Sequence, residues 1–315
     1  MTIEFDHSKI VSKLARVAGN YQPNFIGFTM FPRTQSAHYT VLAKFASGAM
    51  SPEDFLAYLE SKSGSSYKPA AAKLRKFLAT GVPQWSIFAE GNVKLSFLAF
   101  SSLPAITCVG AGDCLNWCYS FKSWRYINAF LRQWQATELL KTPEGRRYIA
   151  NDLARIAPKV DTVRLYVDGD FDSLETMGFW FAMMRKHRKL NWYGYSKSLK
   201  LFLDYAATGA KFPPNYLLNL SEGHKYGEDV VNAVRNLSIV RGAFNVVSLK
   251  NWSGVIYDAD HKTTPAARAE ISRRYRALTG KPSFACPNRC DTCTPKGHAC
   301  GSKRFVGVDV VAAIH

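Results

Sequence analysis

Seven cysteines are the residues of this chain whose type and spacing suggest chemistry most directly, because they form two compact groups. The groups are Cys108, Cys114 and Cys118, and then Cys286, Cys290, Cys293 and Cys300. The chain begins without the basic and apolar run of a secretory signal, so we expect a cytoplasmic protein whose thiols are reduced. Clustered, reduced thiols favour metal sites over disulfides.

The first cysteine group lies in a glycine-containing loop between a predicted strand and a predicted helix. Gly110 and Gly112 would let this loop wrap closely around a bound group. Three thiolates can hold three irons of a 4Fe–4S cluster and leave the fourth iron open to a ligand. The alternatives are a zinc site with a fourth, distant ligand and, without any metal, three buried cysteines acting as small apolar residues.

The second cysteine group places four thiols within a short, loop-rich segment. This spacing predicts a closed, tetrahedral zinc site, in which His298 could replace one cysteine. A second 4Fe–4S cluster would suit the same four thiolates. Either metal would stabilise a segment that is too short to bury a core of its own.

Carboxylates follow a predicted strand at Asp168-Gly169-Asp170, where Gly169 would allow a sharp turn. Carboxylates at a strand end can bind the amino group of a cofactor, act as acid, base or nucleophile, or hold a hard metal ion. Asp172 or Ser173 more simply caps the next helix.

Polar residues also follow two further predicted strands, at Ser196–Lys197 and at Asn219–His224. Because functional residues of parallel α/β folds gather at the carboxyl ends of strands, we expect these side chains to converge on one opening. The candidate catalytic residues are Asp168, Asp170 and Lys197, of which Lys197 would pair with a phosphate or carboxylate. The candidate cofactor-binding residues are Asp168, Gly169, Asp170, Ser196 and Ser221.

Strand-like and helical runs alternate from about residue 93 onward. The strand-like runs are Lys94–Phe100, Thr162–Val167, Asn191–Tyr195, Tyr216–Leu220, Ile239–Val247 and the weaker Gly254–Tyr257. The helical stretches are about 123–156, 173–188, 198–208, 226–236 and 265–278. This pattern predicts an α/β fold, interpreted as a full or partial parallel β/α barrel, with an open doubly wound sheet as the alternative.

We expect three parts along the chain. Residues 1–90 would form a mostly helical N-terminal extension, with an irregular start through Pro32, a helix capped by Ser51 and another over about 69–80. Residues 91–280 would form the barrel, and residues 281–315 a cysteine-rich, metal-binding C-terminal segment.

The formal net charge of +17 points to a polyanionic partner, either a nucleic acid (DNA or RNA) or a nucleotide. Self-repulsion that keeps a basic protein soluble is the alternative. No stretch reaches the roughly 20 apolar residues that span a bilayer, so we expect no membrane partner. The sequence does not indicate an oligomeric state.

Three motifs resemble those of a phage-encoded family known as gene product 88. They are the cysteine segment Leu103–Tyr119, the arginine-containing strand Val163–Phe171 that ends in Gly-Asp-Phe, and Tyr195–Ser198. The likeness covers about residues 95–300, and a phage origin would place the protein in the host cytoplasm.

The same order of motifs is similar to that of radical S-adenosylmethionine enzymes, although the cysteines are more widely spaced here. The resemblance implies a 4Fe–4S cluster on Cys108, Cys114 and Cys118, with the amino group of S-adenosylmethionine at Asp168–Asp170. The leading hypothesis is therefore an iron–sulfur enzyme that modifies a nucleic acid or nucleotide. The alternatives are a zinc-containing barrel transglycosylase that exchanges a base through Asp168 or Asp170, and a non-catalytic zinc protein that binds nucleic acid.

Overall fold

The computed structural model describes residues 33–90, 97–116, 118–290, 293–294 and 297–314. Its first three helices are α1 (Arg33–Ala46), α2 (Pro52–Glu60) and α3 (Tyr67–Thr80). Ser51 caps α2 as predicted, since its hydroxyl accepts a hydrogen bond from the Asp54 backbone N–H at 3.0 Å. Helix α1 was not predicted, and the expected irregular start through Pro32 lies outside the described residues.

The centre of the structure is an eight-stranded sheet in the order β1-β2-β3-β4-β5-β6-β8-β7. The strands are β1 (Ala89–Glu90), β2 (Leu98–Ala99), β3 (Thr162–Leu165), β4 (Asn191–Ser196), β5 (Tyr216–Ser221), β6 (Val240–Ser248), β7 (Ser283–Ala285) and β8 (Asp309–Ile314). Strand β1 is antiparallel to β2, and all the other neighbours are parallel. The predicted parallel α/β architecture is confirmed. Within the described residues the sheet is open, with β1 and β7 at its edges.

Six further helices connect and cover the strands. They are α4 (Ile127–Lys141), α5 (Pro143–Ile156), α6 (Leu174–Lys186), α7 (Leu199–Ala207), α8 (Glu228–Arg235) and α9 (Pro265–Thr279). The single helix predicted over 123–156 is two helices, because Thr142 is extended and caps α5 through the Gly145 backbone N–H at 3.0 Å. No helix in the described part of the chain is long and apolar enough to cross a membrane.

The C-terminal part of the sheet differs from the sequence prediction. The run Gly254–Tyr257 is not a strand, and Tyr257 forms only an isolated bridge with Thr263. Strands β7 and β8, which were not predicted, lie instead beside β6, with β8 inserted between β6 and β7. The cysteine-rich segment between β7 and β8 is therefore anchored to the sheet at both ends.

One apolar core joins the N-terminal helices to the helix-covered face of the sheet. Phe45 of α1 stacks on Phe55 of α2 with ring centroids 3.9 Å apart, and it also packs against Trp134 of α4 at 4.9 Å. Val163 and Leu165 of β3 are fully buried in this core. Because side chains alternate along a strand, the residues between and beside them face the opposite side of the sheet.

A buried polar network fixes the cysteine-rich segment to that opposite side. The Asn219 side-chain amide donates to the carbonyls of Gly194 and Cys300, both at 3.0 Å, and its oxygen accepts from Arg241 Nε at 2.6 Å. Arg241, which is fully buried, also donates to the carbonyls of Val308 and Ala243. The network therefore couples β4, β5 and β6 to the segment that carries the second cysteine group.

Replacement of Arg241 by methionine tests this network. Methionine keeps the unbranched apolar stem of the side chain but removes the guanidinium, which leaves the Asn219 oxygen and buried carbonyls without a donor. We therefore expect the free energy of unfolding to fall by about 2 kcal/mol or more. The matched control is Arg155→Met, because Arg155 is exposed and pairs with Asp152 on the surface of α5. Urea denaturation should leave the control almost unchanged, and equal losses in both variants would contradict the assigned role of Arg241.

Candidate functional site

A cavity of about 430 Å³ lies on the sheet face opposite the helices, at the carboxyl ends of the parallel strands. This volume is in the range of about 300–1,000 Å³ that is usual for small-molecule sites. All seven cysteines line it: Cys108, Cys114, Cys118, Cys286, Cys290, Cys293 and Cys300. The two cysteine groups, which are far apart in the sequence, therefore face one common space.

The first cysteine loop is held against the loops that follow β4 and β5. The backbone N–H groups of Gly112 and Cys114 both donate to the Gly223 carbonyl, at 3.0 and 3.1 Å, and the Lys225 N–H donates to the Gly110 carbonyl at 3.0 Å. A Cβ atom on Gly110 would lie 1.8 Å from the Lys197 carbonyl oxygen. Gly110 thus permits close packing of backbone on backbone, while the wrapping of a cluster that the sequence suggested stays a prediction.

Thiol chemistry at the cavity fits a soft metal or an iron–sulfur cluster, since all seven cysteines are thiols outside any disulfide. Burial raises the pKa of Cys118 to about 11, with the neighbouring Cys114 adding to the rise. Burial also raises the pKa of Cys108. Among the described residues, however, no three His, Cys, Asp or Glu side chains are gathered tightly enough to hold a metal ion. The thiols therefore suit a soft metal or an iron–sulfur cluster by their chemistry. In the described part of the chain, however, they do not form a closed set of ligands.

Asp170 is a buried carboxylate that organises the loop after β4, and it does not line the cavity. Its Oδ1 accepts from the Phe171 N–H at 2.8 Å and from the Ser196 hydroxyl at 2.7 Å. Its Oδ2 accepts from the N–H groups of Lys197 and Ser198, at 2.6 and 3.1 Å. Burial raises the pKa of Asp170, and these hydrogen bonds oppose the rise. The predicted catalytic role remains a prediction, while the geometry makes Asp170 a positioning residue.

The other two residues of the acidic motif differ in their access to the cavity. Gly169 lines it and has a left-handed φ of 80°, and a Cβ atom there would lie 2.0 Å from the Ser102 hydroxyl. Asp168 does not line the cavity, and its Oδ2 accepts from the Gln133 side-chain amide at 2.9 Å. Burial raises the pKa of Asp168, against the opposing effects of Ser120 and Arg164. Gly169 is thus the member of the motif that a bound molecule would meet.

Two of the other predicted polar residues meet in the cavity wall. Lys197 Nζ donates to the Ser221 hydroxyl at 2.6 Å, and both residues line the cavity. Ser196 is buried, donates its hydroxyl hydrogen to Asp170 and does not line the cavity. Its contact with a cofactor stays a prediction. Glu222 accepts from the Val246 N–H at 2.6 Å and does not line the cavity. Of the polar residues expected to converge at the strand ends, Lys197 and Ser221 are thus the pair that meets in the cavity wall.

Sequence reasoning missed an arginine and an aromatic wall in the same cavity. The Arg164 guanidinium lies 4.7 Å from the centroid of the Tyr195 ring, and the His298 ring lies 4.7 Å from that of Tyr193. Burial, together with the charge of Arg164, lowers the pKa of His298 to about 4. Arg164 could have been found from its position between two apolar residues of a strand, because the alternation turns it away from the core.

The fold and the cavity define an open parallel α/β protein with a thiol-rich site at the carboxyl ends of its strands. The sequence model of the family described as Gene product 88 matches residues 64–308, and the chain belongs to this phage family. The match begins earlier than the resemblance at about residue 95 suggested, so it includes α3. A comparison with curated proteins and a comparison with solved structures gave no match.

A single methyl group tests the packing of the first cysteine loop. Gly110→Ala would force its Cβ into the Lys197 carbonyl, so we expect a loss of about 1–3 kcal/mol in the free energy of unfolding. Gly178→Ala is the matched control, because Gly178 lies within α6 and a Cβ atom there would have nothing within 4 Å. Chemical denaturation should find the control unchanged or slightly more stable. A Gly110→Ala protein as stable as the control would refute the close approach.

Proposed function

We propose that this protein is an iron–sulfur enzyme of the radical S-adenosylmethionine type that acts on a nucleic acid or a nucleotide. One observation carries the proposal: the loop with Cys108, Cys114 and Cys118 faces the same cavity as Gly169 and Lys197 at the ends of the following strands. A three-thiol loop after the first parallel strand is the arrangement that the resemblance to radical S-adenosylmethionine enzymes leads us to expect.

A 4Fe–4S cluster on these three thiols would leave one iron open and, with an external reductant, would supply an electron to S-adenosylmethionine. The residues of the chain have their own tasks. Gly169 would offer its backbone to the cofactor without a side chain in the way. Ser221 orients the ammonium group of Lys197, while Asp170 fixes the backbone of Lys197. Tyr195 and Phe244, with centroids 4.9 Å apart, would help to keep water out of the cavity.

We infer that the sheet curves around the cavity as a partial barrel. Residues from six neighbouring strands line the one cavity: Arg164, Tyr193, Ser221, Phe244, Val310 and Phe284. Six strands of a flat sheet would span about 24 Å, because neighbouring strands lie about 4.8 Å apart. A curved sheet would allow a cavity of about 430 Å³ to touch all of them.

The second cysteine group would hold zinc or a second 4Fe–4S cluster. Its four thiols line the cavity, so a metal there would lie beside the bound substrate instead of serving only to stabilise the segment. His298, which also lines the cavity, packs between Phe97 and Tyr193 with centroid distances of 5.1 and 4.7 Å. Its aromatic contacts favour a packing role over that of a replacement ligand.

A polyanionic substrate is supported by a second surface feature as well as by the net charge of +17. An open groove of about 1670 Å³ is lined by parts of α3, α4 and α5. Its cationic residues are Lys73, Arg132, Arg155 and Lys159. Such a groove could contact the phosphates of a nucleic-acid substrate.

The hydrogen bonds of the two aspartates weigh against base exchange by a transglycosylase. A carboxylate nucleophile must reach the substrate, but both oxygens of Asp170 are occupied by protein donors. Asp168 is turned to Gln133 and lies outside the cavity lining. The iron–sulfur proposal needs no attack by either carboxylate.

The proposal predicts the metal content of protein purified without oxygen. Wild-type protein should contain about four irons at the first site and show broad visible absorption. The triple variant Cys108→Ala, Cys114→Ala, Cys118→Ala should lose these irons together with reductant-dependent cleavage of S-adenosylmethionine. The control Cys293→Ala, in the second group, should keep the first cluster.

The opposite result would be equally informative. One zinc per chain, no iron, and a triple variant with the same metal content as the wild type would contradict the iron–sulfur enzyme. Base exchange or non-catalytic binding of nucleic acid would then be the better account.

A further inference from the structure

We propose that Arg164 is the oxyanion-binding residue of the cavity, positioned to hold the phosphate of a nucleotide. The inference rests on the proposed function in one respect, namely that the cysteine-lined cavity is the substrate site. The same guanidinium chemistry would also suit the carboxylate of a bound cofactor. In either case Arg164 would bind anionic oxygens, those of a tetrahedral phosphate or of a planar carboxylate.

The charge of the cavity wall is the first argument. Three cationic side chains line it, Arg164, Lys197 and Arg289, and no aspartate or glutamate of the described chain does so. Apart from the cysteines, whose thiolates a bound metal would partly neutralise, the charged side chains of this wall are cationic and suit an anionic ligand. Lys197 already donates to Ser221, so it is partly engaged within the wall.

The incomplete pairing of Arg164 is the second argument. Its Nε is buried and has no hydrogen-bond partner among the described atoms. Within the described ranges, no carboxylate forms a salt bridge with it. A buried guanidinium N–H without an acceptor is costly, and a ligand oxygen would remove that cost.

The third argument is that Arg164 is already held in place. Val163 and Leu165 on either side are fully buried in the core, which fixes the strand and directs Arg164 to the opposite face. The Tyr195 ring lies 4.7 Å from the guanidinium carbon and restricts its plane. A guanidinium that is fixed before binding loses little side-chain entropy when it takes an oxyanion.

Aromatic walls beside the cations favour a nucleotide as the source of the oxyanion. Tyr195 and Phe244 both line the cavity and pack edge to face at 4.9 Å, and Tyr193 lies beside Tyr195 at 6.0 Å. Bases stack on such rings without regard to their sequence. A phosphate on Arg164 would place the attached nucleoside among these side chains.

A competing role for Arg164 is the neutralisation of cysteine thiolates, since Cys290 is among the groups whose charge it feels. Under that role, loss of Arg164 should reduce metal content. Under oxyanion binding, the metal content should stay the same and only the affinity for anionic ligands should fall. Metal content and ligand affinity measured on the same variants therefore separate the two roles.

The experiment is calorimetric titration of anaerobically purified wild-type protein, Arg164→Gln and the control Arg147→Gln, with iron and zinc measured in each. Arg147 is an exposed arginine that pairs with Glu144 and lines neither the cavity nor the groove. The first pair of probes is each deoxynucleoside 5′-monophosphate and its nucleoside. The second pair is S-adenosylmethionine and its decarboxylated form. In at least one pair, the wild type and the control should bind the anionic member about tenfold to a hundredfold more tightly, and Arg164→Gln should abolish that preference. The pair that responds identifies the oxyanion as phosphate or carboxylate.

Three results would overturn the proposal. They are a wild-type protein without preference in either pair, an Arg164→Gln variant that retains the preference, and one that loses metal and preference together. If Arg164→Gln does not fold by circular dichroism, Arg164→Lys replaces it, because lysine keeps the charge but lacks the fork that engages two oxygens. The lysine variant should bind the anionic member several-fold more weakly, and unchanged affinity would again overturn the proposal.

The metal measurements keep this inference distinct from the proposed function. Iron-containing protein that has no preference for anionic ligands would remove the role of Arg164 and leave the iron–sulfur enzyme intact. Protein without iron that shows an Arg164-dependent preference for nucleotides would do the reverse.

Discussion

The arrangement of the cavity depends on the hydrogen bonds of one buried carboxylate, that of Asp170. Its two oxygens accept four hydrogen bonds from its own loop and from the loop after β4, and its backbone N–H donates to the Thr107 hydroxyl at 3.1 Å. Thr107 directly precedes Cys108, so one residue links the first cysteine loop to Lys197. Burying a carboxylate costs much free energy unless its oxygens are paired, and here the pairing also aligns three loops.

A second buried network brings the C-terminal cysteines to the same cavity. Asn219 and Arg241 join β5 and β6 to the carbonyls of Cys300 and Val308. Neither network includes a thiol side chain. The protein therefore brings both cysteine loops to the cavity through polar contacts of its own, while the described thiols are not gathered tightly enough to hold a metal ion.

The sequence predicted the elements whose signals are local. Four of the predicted strands, β3 to β6, are apolar runs bounded by turns, and the Ser51 cap follows from residue type. For α6 the sequence offered Asp172 or Ser173 as the cap, and the structure has Ser173. The short strands β7 and β8 gave no such signal, and their place beside β6 depends on long-range pairing. The partners of Asp170 and the cavity-facing direction of Arg164 likewise depend on neighbouring strands. All seven cysteines were selected from the sequence, but their common cavity was not.

The central claim is that Cys108, Cys114 and Cys118 hold an open cluster that faces a cavity shared with the second cysteine group. Anomalous diffraction at the iron edge, from crystals of protein purified without oxygen, tests it most directly. The account predicts a cluster of iron peaks bound by these three sulfurs, with one iron free of protein ligands. Absence of iron at the three sulfurs, or a fourth protein ligand that closes the cluster, would contradict it.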